Sequence, residues 1–142
     1  MEKLKFSVLI NAPREKVWDV LWTDATYRKW TSAFSPDSHA QSDWKEGSRI
    51  HFLDGKGNGI YSIIETKVGN TQMTFRHLGE IKNNVESPAG SDWGDSRESY
   101  FLKEKDGQTE LTAELDAPEE FKQYFSEVFP KALNLVKELS EK

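Results

Sequence analysis

The chain has 142 residues, a formal net charge of −5, 36% hydrophobic and 30% charged residues, and no cysteine. Such a composition is neither disordered nor apolar enough for lipid, and the lack of thiols excludes disulfides, cysteine nucleophiles and zinc-ribbon ligation. Acidic overall and without a basic block, the chain lacks the electrostatic footprint of a nucleic-acid binder, so no nucleic-acid partner is expected.

At this length one domain spanning residues 1–142 is expected. No apolar run reaches the roughly 20 residues of a membrane span. The opening Met1-Glu2-Lys3 leads into a strand pattern rather than a signal peptide, so the expected location is the cytoplasm. Eight Phe, five Trp and four Tyr supply rigid surface for a core or a pocket wall.

In chain order, Leu4, Phe6, Val8 and Ile10 alternate with polar residues and predict a half-buried strand. Pro13 then suits a helix start and Glu15 its first turn. Val17, Val20 and Leu21 form the inward stripe of this short helix, with Trp18 and Trp22 one turn apart on a neighbouring edge. Thr23-Asp24 breaks it, and a second short helix over 24–30 would turn Trp30 inward.

From residue 38 onward, strand patterns alternate with turn signals at Trp44-Lys45-Glu46-Gly47, 54–59, Gly69-Asn70 and Asp106-Gly107, the punctuation of an antiparallel meander. A two-residue turn at Gly69-Asn70 would pair Val68 with Thr71 and gather Ile60, Ser62, Ile64, Met73, Phe75 and His77 on one face. A matching turn at Asp106-Gly107 would add Glu98, Tyr100, Leu102, Leu111, Ala113 and Leu115, and Ile50 and Phe52 are placed inward as well. Residues 79–95 show no period and read as a long loop. Asp116-Ala117-Pro118-Glu119-Glu120 repeats the helix-start device, and the wide apolar stripe from Phe121 to Leu139 predicts a long final helix, bent near residues 126–130 by Pro130.

This order predicts an α+β helix-grip fold: a curved antiparallel sheet around a C-terminal helix, with two short helices after the first strand. Asn11-Ala12-Pro13-Arg14-Glu15-Lys16-Val17-Trp18, Trp30, Trp44-Lys45-Glu46-Gly47-Ser48 and Gly59-Ile60-Tyr61 together resemble the START-like (SRPBCC) superfamily, in the branch named for homology to the activator of heat-shock-protein ATPase. The resemblance covers nearly the whole chain and rests on fold signatures rather than a catalytic motif. It implies a cavity between sheet and helix, holding a lipid, hormone, polyketide or other apolar molecule. In a few members of the superfamily the cavity serves cyclisation or dehydration.

Three functions follow as expectations. A binding module would hold a small hydrophobic molecule against Trp30, Phe52, Ile64, Phe75, His77, Trp93, Tyr100, Tyr124, Phe125 and Val128. A cyclase or dehydratase would use His77 and Glu98 as acid and base and Tyr100 to orient a carbonyl, although a hydrogen-bonded cluster closing the sheet would look the same in sequence. An interaction module would engage a heat-shock ATPase. Trp93 is open between a lid and a surface-packed ring. The glycine turn at 54–59 lacks the spacing and helix of a phosphate loop. A turn at Lys45-Glu46 would set His39 opposite Phe52 and aim the His39 and His51 imidazoles at opposite faces, so no metal site and no cofactor are expected.

Overall fold

The computed structural model of the chain describes residues 2–89 and 93–142. It opens with β1 (Glu2–Ile10), α1 (Arg14–Trp22) and α2 (Asp24–Trp30), followed by a 3-10 turn at Thr31–Ala33. The strands β2 (His39–Gln41), β3 (Arg49–Leu53), β4 (Gly59–Val68), β5 (Gln72–Lys82), β6 (Val85–Pro88), β7 (Arg97–Lys105) and β8 (Gln108–Ala117) come next. A 3-10 turn at Glu119–Phe121 leads into α3 (Lys122–Ser140). All strand pairs are antiparallel, in the order β1-β8-β7-β5-β4-β3-β2, with β6 attached to β5 beside that path. A curved sheet and a long C-terminal helix with two short helices make this an α+β helix-grip fold.

Alternation dictates what the sheet buries. Tyr100 lies opposite Ala113, and Leu102 opposite Leu111, so the Asp106-Gly107 turn sets the expected register. Met73, Tyr100 and Leu111 are all buried on the inner face. The turn between β4 and β5 differs from expectation. It holds three residues, pairing Val68 with Gln72, and a bulge near Glu65 restores the Ile64 to Phe75 pairing. The same register sets Ser62 opposite His77, and a second bulge at Leu78 then shifts it so that Tyr61 faces Gly79.

The stretch 79–95, read as a loop from sequence, is largely a hairpin. β5 runs on to Lys82, Asn83 and Asn84 turn with φ of 51° and 66°, and β6 returns along it. Residues 90–92 of that stretch lie outside the described residues. Gly79 permits the pairing by close approach, because a Cβ there would fall 2.2 Å from the Ser87 carbonyl oxygen and 2.6 Å from the Tyr61 ring.

The register between β2 and β3 is also one residue from expectation. His39 faces Leu53 and Gln41 faces His51, which puts His39 and His51 on the same side of the sheet. Their rings nonetheless diverge: His39 Nδ1 contacts the Asp37 carbonyl, and His51 Nε2 contacts Glu86.

α3 runs unbroken for 19 residues through Pro130. Its buried stripe is Phe129, Ala132, Leu133 and Val136, and Phe6 of β1 stacks on Phe129 with ring centroids 5.3 Å apart. The C-terminal end of the helix is tied to the end of β1. The Asn11 N–H donates to Glu141 at 2.8 Å and Lys137 Nζ donates to the Leu9 carbonyl at 3.2 Å. Among the described residues no helix is long and apolar enough to cross a membrane.

Candidate functional site

α3 packs on β1 and the short helices, so its N-terminal half stands off the middle strands of the sheet. The gap is a cavity of about 700 Å³. Twelve aromatic side chains line it. From the sheet come Phe52, Phe75 and Tyr100, from the short helices and the turn after them Trp22, Tyr27, Trp30 and Phe34, and from α3 and its approach Phe121, Tyr124, Phe125 and Phe129. Trp93 completes the set from the segment before β7.

Of the residues singled out from sequence, Trp30, Phe52, Phe75, His77, Trp93, Tyr100, Tyr124 and Phe125 line the cavity. Ile64 and Val128 do not. Ile64 is fully buried in the core beneath the cavity floor, and Val128 is half-buried outside the set of lining residues. Tyr124 lies at the mouth, 44% exposed, as does Phe121 at 45%. Trp93 is half-buried against the cavity rather than spread on the surface.

Trp22 is the hub of the aromatic wall. Its ring lies 5.2 Å from Tyr100, 5.5 Å from Phe75, 6.3 Å from Trp30 and 5.7 Å from Trp44, mostly edge to face, the arrangement that aromatic quadrupoles favour. Its indole N–H is buried without a hydrogen-bond partner among the described residues. Trp30, by contrast, donates its indole N–H to the Leu21 carbonyl at 3.1 Å and is fixed. Trp44 holds its ring against Trp22 by adopting φ of 62°, rare for a bulky residue. Its N–H is bound by the Ser42 hydroxyl at 3.0 Å and its carbonyl by Lys67 Nζ at 2.6 Å. A left-handed tryptophan is invisible to periodicity, which marks Trp44 as part of a turn without showing where its ring lies.

Beside the aromatic wall runs a line of polar groups. Glu98 accepts a short hydrogen bond from the Tyr100 hydroxyl on one carboxylate oxygen and contacts His77 Nε2 at 3.2 Å with the other. His77 Nδ1 lies 2.6 Å from the Ser62 hydroxyl. In the tautomer with its proton on Nε2, the imidazole donates to the Glu98 carboxylate and Ser62 donates to Nδ1. Ser62 extends the His77, Glu98 and Tyr100 trio but is wholly buried, so it orients the imidazole and meets no ligand. Sequence alternation places Ser62 on the same face as His77, and the structure pairs the two.

Burial pushes the Tyr100 phenol well above the ordinary tyrosine value, and the Glu98 charge and hydrogen bond push it further. Burial raises Tyr27 in the same way, with Glu98 again adding to it. Both phenols are therefore neutral donors. The relay can hold a polar substituent of a guest or pass a proton between imidazole and carboxylate. Among the described residues no cluster of three His, Asp or Glu side chains is arranged to hold a metal ion.

The outer face of the sheet is a separate electrostatic system. Arg97 grips Glu65 with two hydrogen bonds, at 2.8 and 3.1 Å, and Arg76 bridges Glu65 and Asp95. The Arg97 hydrogen bonds hold the Glu65 carboxyl below its usual value. Such half-exposed pairs position strands more than they stabilise them.

Residues 11–141 match the model of the family described as Activator of Hsp90 ATPase homolog 1-like protein, and the chain belongs to that family. No curated protein matches the sequence significantly. Among solved structures, the Aha1 dimer from Colwellia psychrerythraea is similar at TM-score 0.77 and 21% identity, over 99% of this chain and 97% of that one. CalU16 from Micromonospora echinospora is similar at TM-score 0.67 and 16% identity, over 97% of this chain and 75% of that one. DynU16, a protein of the dynemicin biosynthetic locus, is similar at TM-score 0.73 and 12% identity, over 97% of this chain and 46% of that one. Identities this low speak for the fold alone.

Proposed function

We infer that this member of the family binds a small apolar, largely aromatic molecule between the curved sheet and α3. The observation that carries this reading is the cavity itself. At about 700 Å³ it is within the range of small-molecule sites, and twelve aromatic side chains wall it. A filled interaction scaffold would have no use for such a space, since closing it would gain dispersion contacts. A guest burying on the order of 200 Å² of apolar surface gains about 5 kcal/mol before the losses of association are counted. The Ser62, His77, Glu98 and Tyr100 relay fixes its orientation. Similarity to a protein of a biosynthetic locus is in keeping with a small-molecule guest.

Two other activities are compatible with the same fold. The relay would let His77 and Glu98 move protons in a cyclisation or dehydration, and family membership supports a heat-shock ATPase as a protein partner. A protein partner leaves the hollow, aromatic interior without a role, and catalysis would itself begin from a guest bound there.

The test is a screen of neutral aromatic and lipid-like compounds by amide shift perturbation. Shifts clustering at Trp30, Phe75, Glu98 and Phe125 are expected. Silence at those residues up to millimolar concentration refutes the reading.

A further inference from the structure

We propose that the guest of this cavity is a cation, an apolar aromatic body bearing a protonated amine, a proposal that rests on the ligand-binding reading above. The cavity is acidic as well as aromatic. Asp54, Glu80 and Glu98 line it: strand alternation turns Glu80 and Glu98 to the inner face, since Glu80 pairs with inward Ile60 and Glu98 with inward Leu115, while Asp54 reaches it from the turn after β3, where one carboxylate oxygen accepts the Lys56 and Asn58 N–H groups. Asp116 lies on the rim, with its carboxylate bound to the Arg97 N–H at 3.0 Å. Among the described residues, no lysine or arginine lines the cavity.

Several other carboxylates of the sheet have a permanent cation beside them. Glu65 has Arg97 and Arg76, Glu86 has Arg49, and even Glu80 has Lys82 at 3.5 Å on its exposed side. Glu98 is different. Its side chain is only 24% exposed, and its sole basic neighbour within bridging distance among the described residues is His77. A half-buried carboxylate without a permanent cation is costly, and a cationic guest would supply the missing charge.

Hydrogen-bond capacity points the same way. The relay's hydrogens are already committed: the Tyr100 hydroxyl and the His77 N–H both donate to Glu98, and the Ser62 hydroxyl meets His77. What remains toward the cavity at this point is acceptor capacity on the Glu98 oxygens, which an ammonium group satisfies and a carboxylate or carbonyl does not. The rings add to this. Aromatic faces carry negative electron density, so the walls around Glu98, Phe75 beside it in the sheet and Tyr100 bonded to it, attract a cation. Carboxylates within low-dielectric walls also focus a negative potential that draws cations in and turns anions away. A fatty acid or an aromatic carboxylate would meet repulsion at the same groups.

Three probes with one naphthalene body separate charge from shape: 1-naphthylmethylamine, 1-naphthalenemethanol and 1-naphthoic acid, titrated into the full chain at pH 7 and moderate salt by calorimetry and amide shifts. The amine should bind about tenfold more tightly than the alcohol, and the acid more weakly than either. In Glu98→Gln, which keeps the shape and removes the charge, the amine should lose most of its advantage over the alcohol, and an advantage that stays about tenfold overturns the assignment to Glu98. Should the alcohol or the acid bind wild-type protein as tightly as the amine, the charge preference is wrong and cavity binding stands. Should none of the three bind at millimolar concentration, the ligand-binding reading fails and this proposal with it. The wild-type comparison decides the matter even if the Glu98→Gln chain does not fold.

Discussion

Tyr100→Phe removes one hydroxyl and nothing else from the centre of the site. The ring is 1% exposed and keeps its edge-to-face contacts with Trp22 and Trp30, so no apolar burial is lost. What is lost is a hydrogen bond to a carboxylate, a class that contributes about 1.5–3 kcal/mol. Glu98 is 24% exposed in its side chain, so cavity water can replace part of that bond, and the expected destabilisation is about 1–2 kcal/mol. The replacement leaves Glu98 with only His77 as its side-chain donor among the described residues. Urea unfolding measures the cost, and a double-mutant cycle with Glu98→Gln isolates the coupling, expected at about 1 kcal/mol. A Tyr100→Phe protein as stable as wild type, or coupling near zero, would show that the relay is not formed as described.

Alkaline pH gives a second expectation. Tyr27 and Tyr100 have folded-state values raised above that of an unfolded tyrosine, so the folded chain keeps protons that the unfolded chain loses above about pH 10. Stability is flat below that point and falls above it by about 1.4 kcal/mol per pH unit for each phenol, and Tyr27→Phe with Tyr100→Phe should remove that slope. An unchanged slope in the double variant contradicts the burial argument. Gly79→Ala forces a Cβ to within 2.2 Å of the Ser87 carbonyl oxygen, and the shift should cost about 1–3 kcal/mol and release β6. Loss of hydrogen-exchange protection across residues 85–88 reports it, and intact protection refutes the close-packing account.

Periodicity carried the elements whose two faces differ in polarity. Leu4, Phe6, Val8 and Ile10 alternate because β1 buries one side only, and the β7 to β8 register follows from a two-residue turn whose chemistry is plain in Asp106-Gly107. β6 escaped because Val85, Glu86, Ser87 and Pro88 are all exposed, so the strand is held by backbone pairing with no burial pattern to betray it. Bulges at Glu65 and Leu78 escaped for a related reason: a bulge is a departure from alternation, visible only in the pairing.

The site was legible in the same uneven way. His77, Glu98 and Tyr100 could be placed on one face by counting, and the structure brings them into hydrogen-bond contact. Ile64 is in the core and not in the cavity lining, and counting shows which face a residue is on but not whether core or cavity lies above it. Val128 lies outside the lining because the apolar stripe of α3 is wide, and within the helix it is Tyr124, Phe125 and Phe129 that line the opening. The hub role of Trp22 and the left-handed backbone of Trp44 depend on tertiary contacts with no local signature.

The central claim is that the space between the sheet and α3 receives a guest. Its most direct measurement is the set of intermolecular NOEs between an isotope-labelled chain and bound 1-naphthylmethylamine. Contacts from the naphthalene protons to Phe75, Trp30 and Phe125, with the ammonium end near Glu98, are the predicted result. Contacts confined to exposed apolar residues such as Leu9, Val68 and Val85, with none in the interior, would contradict it.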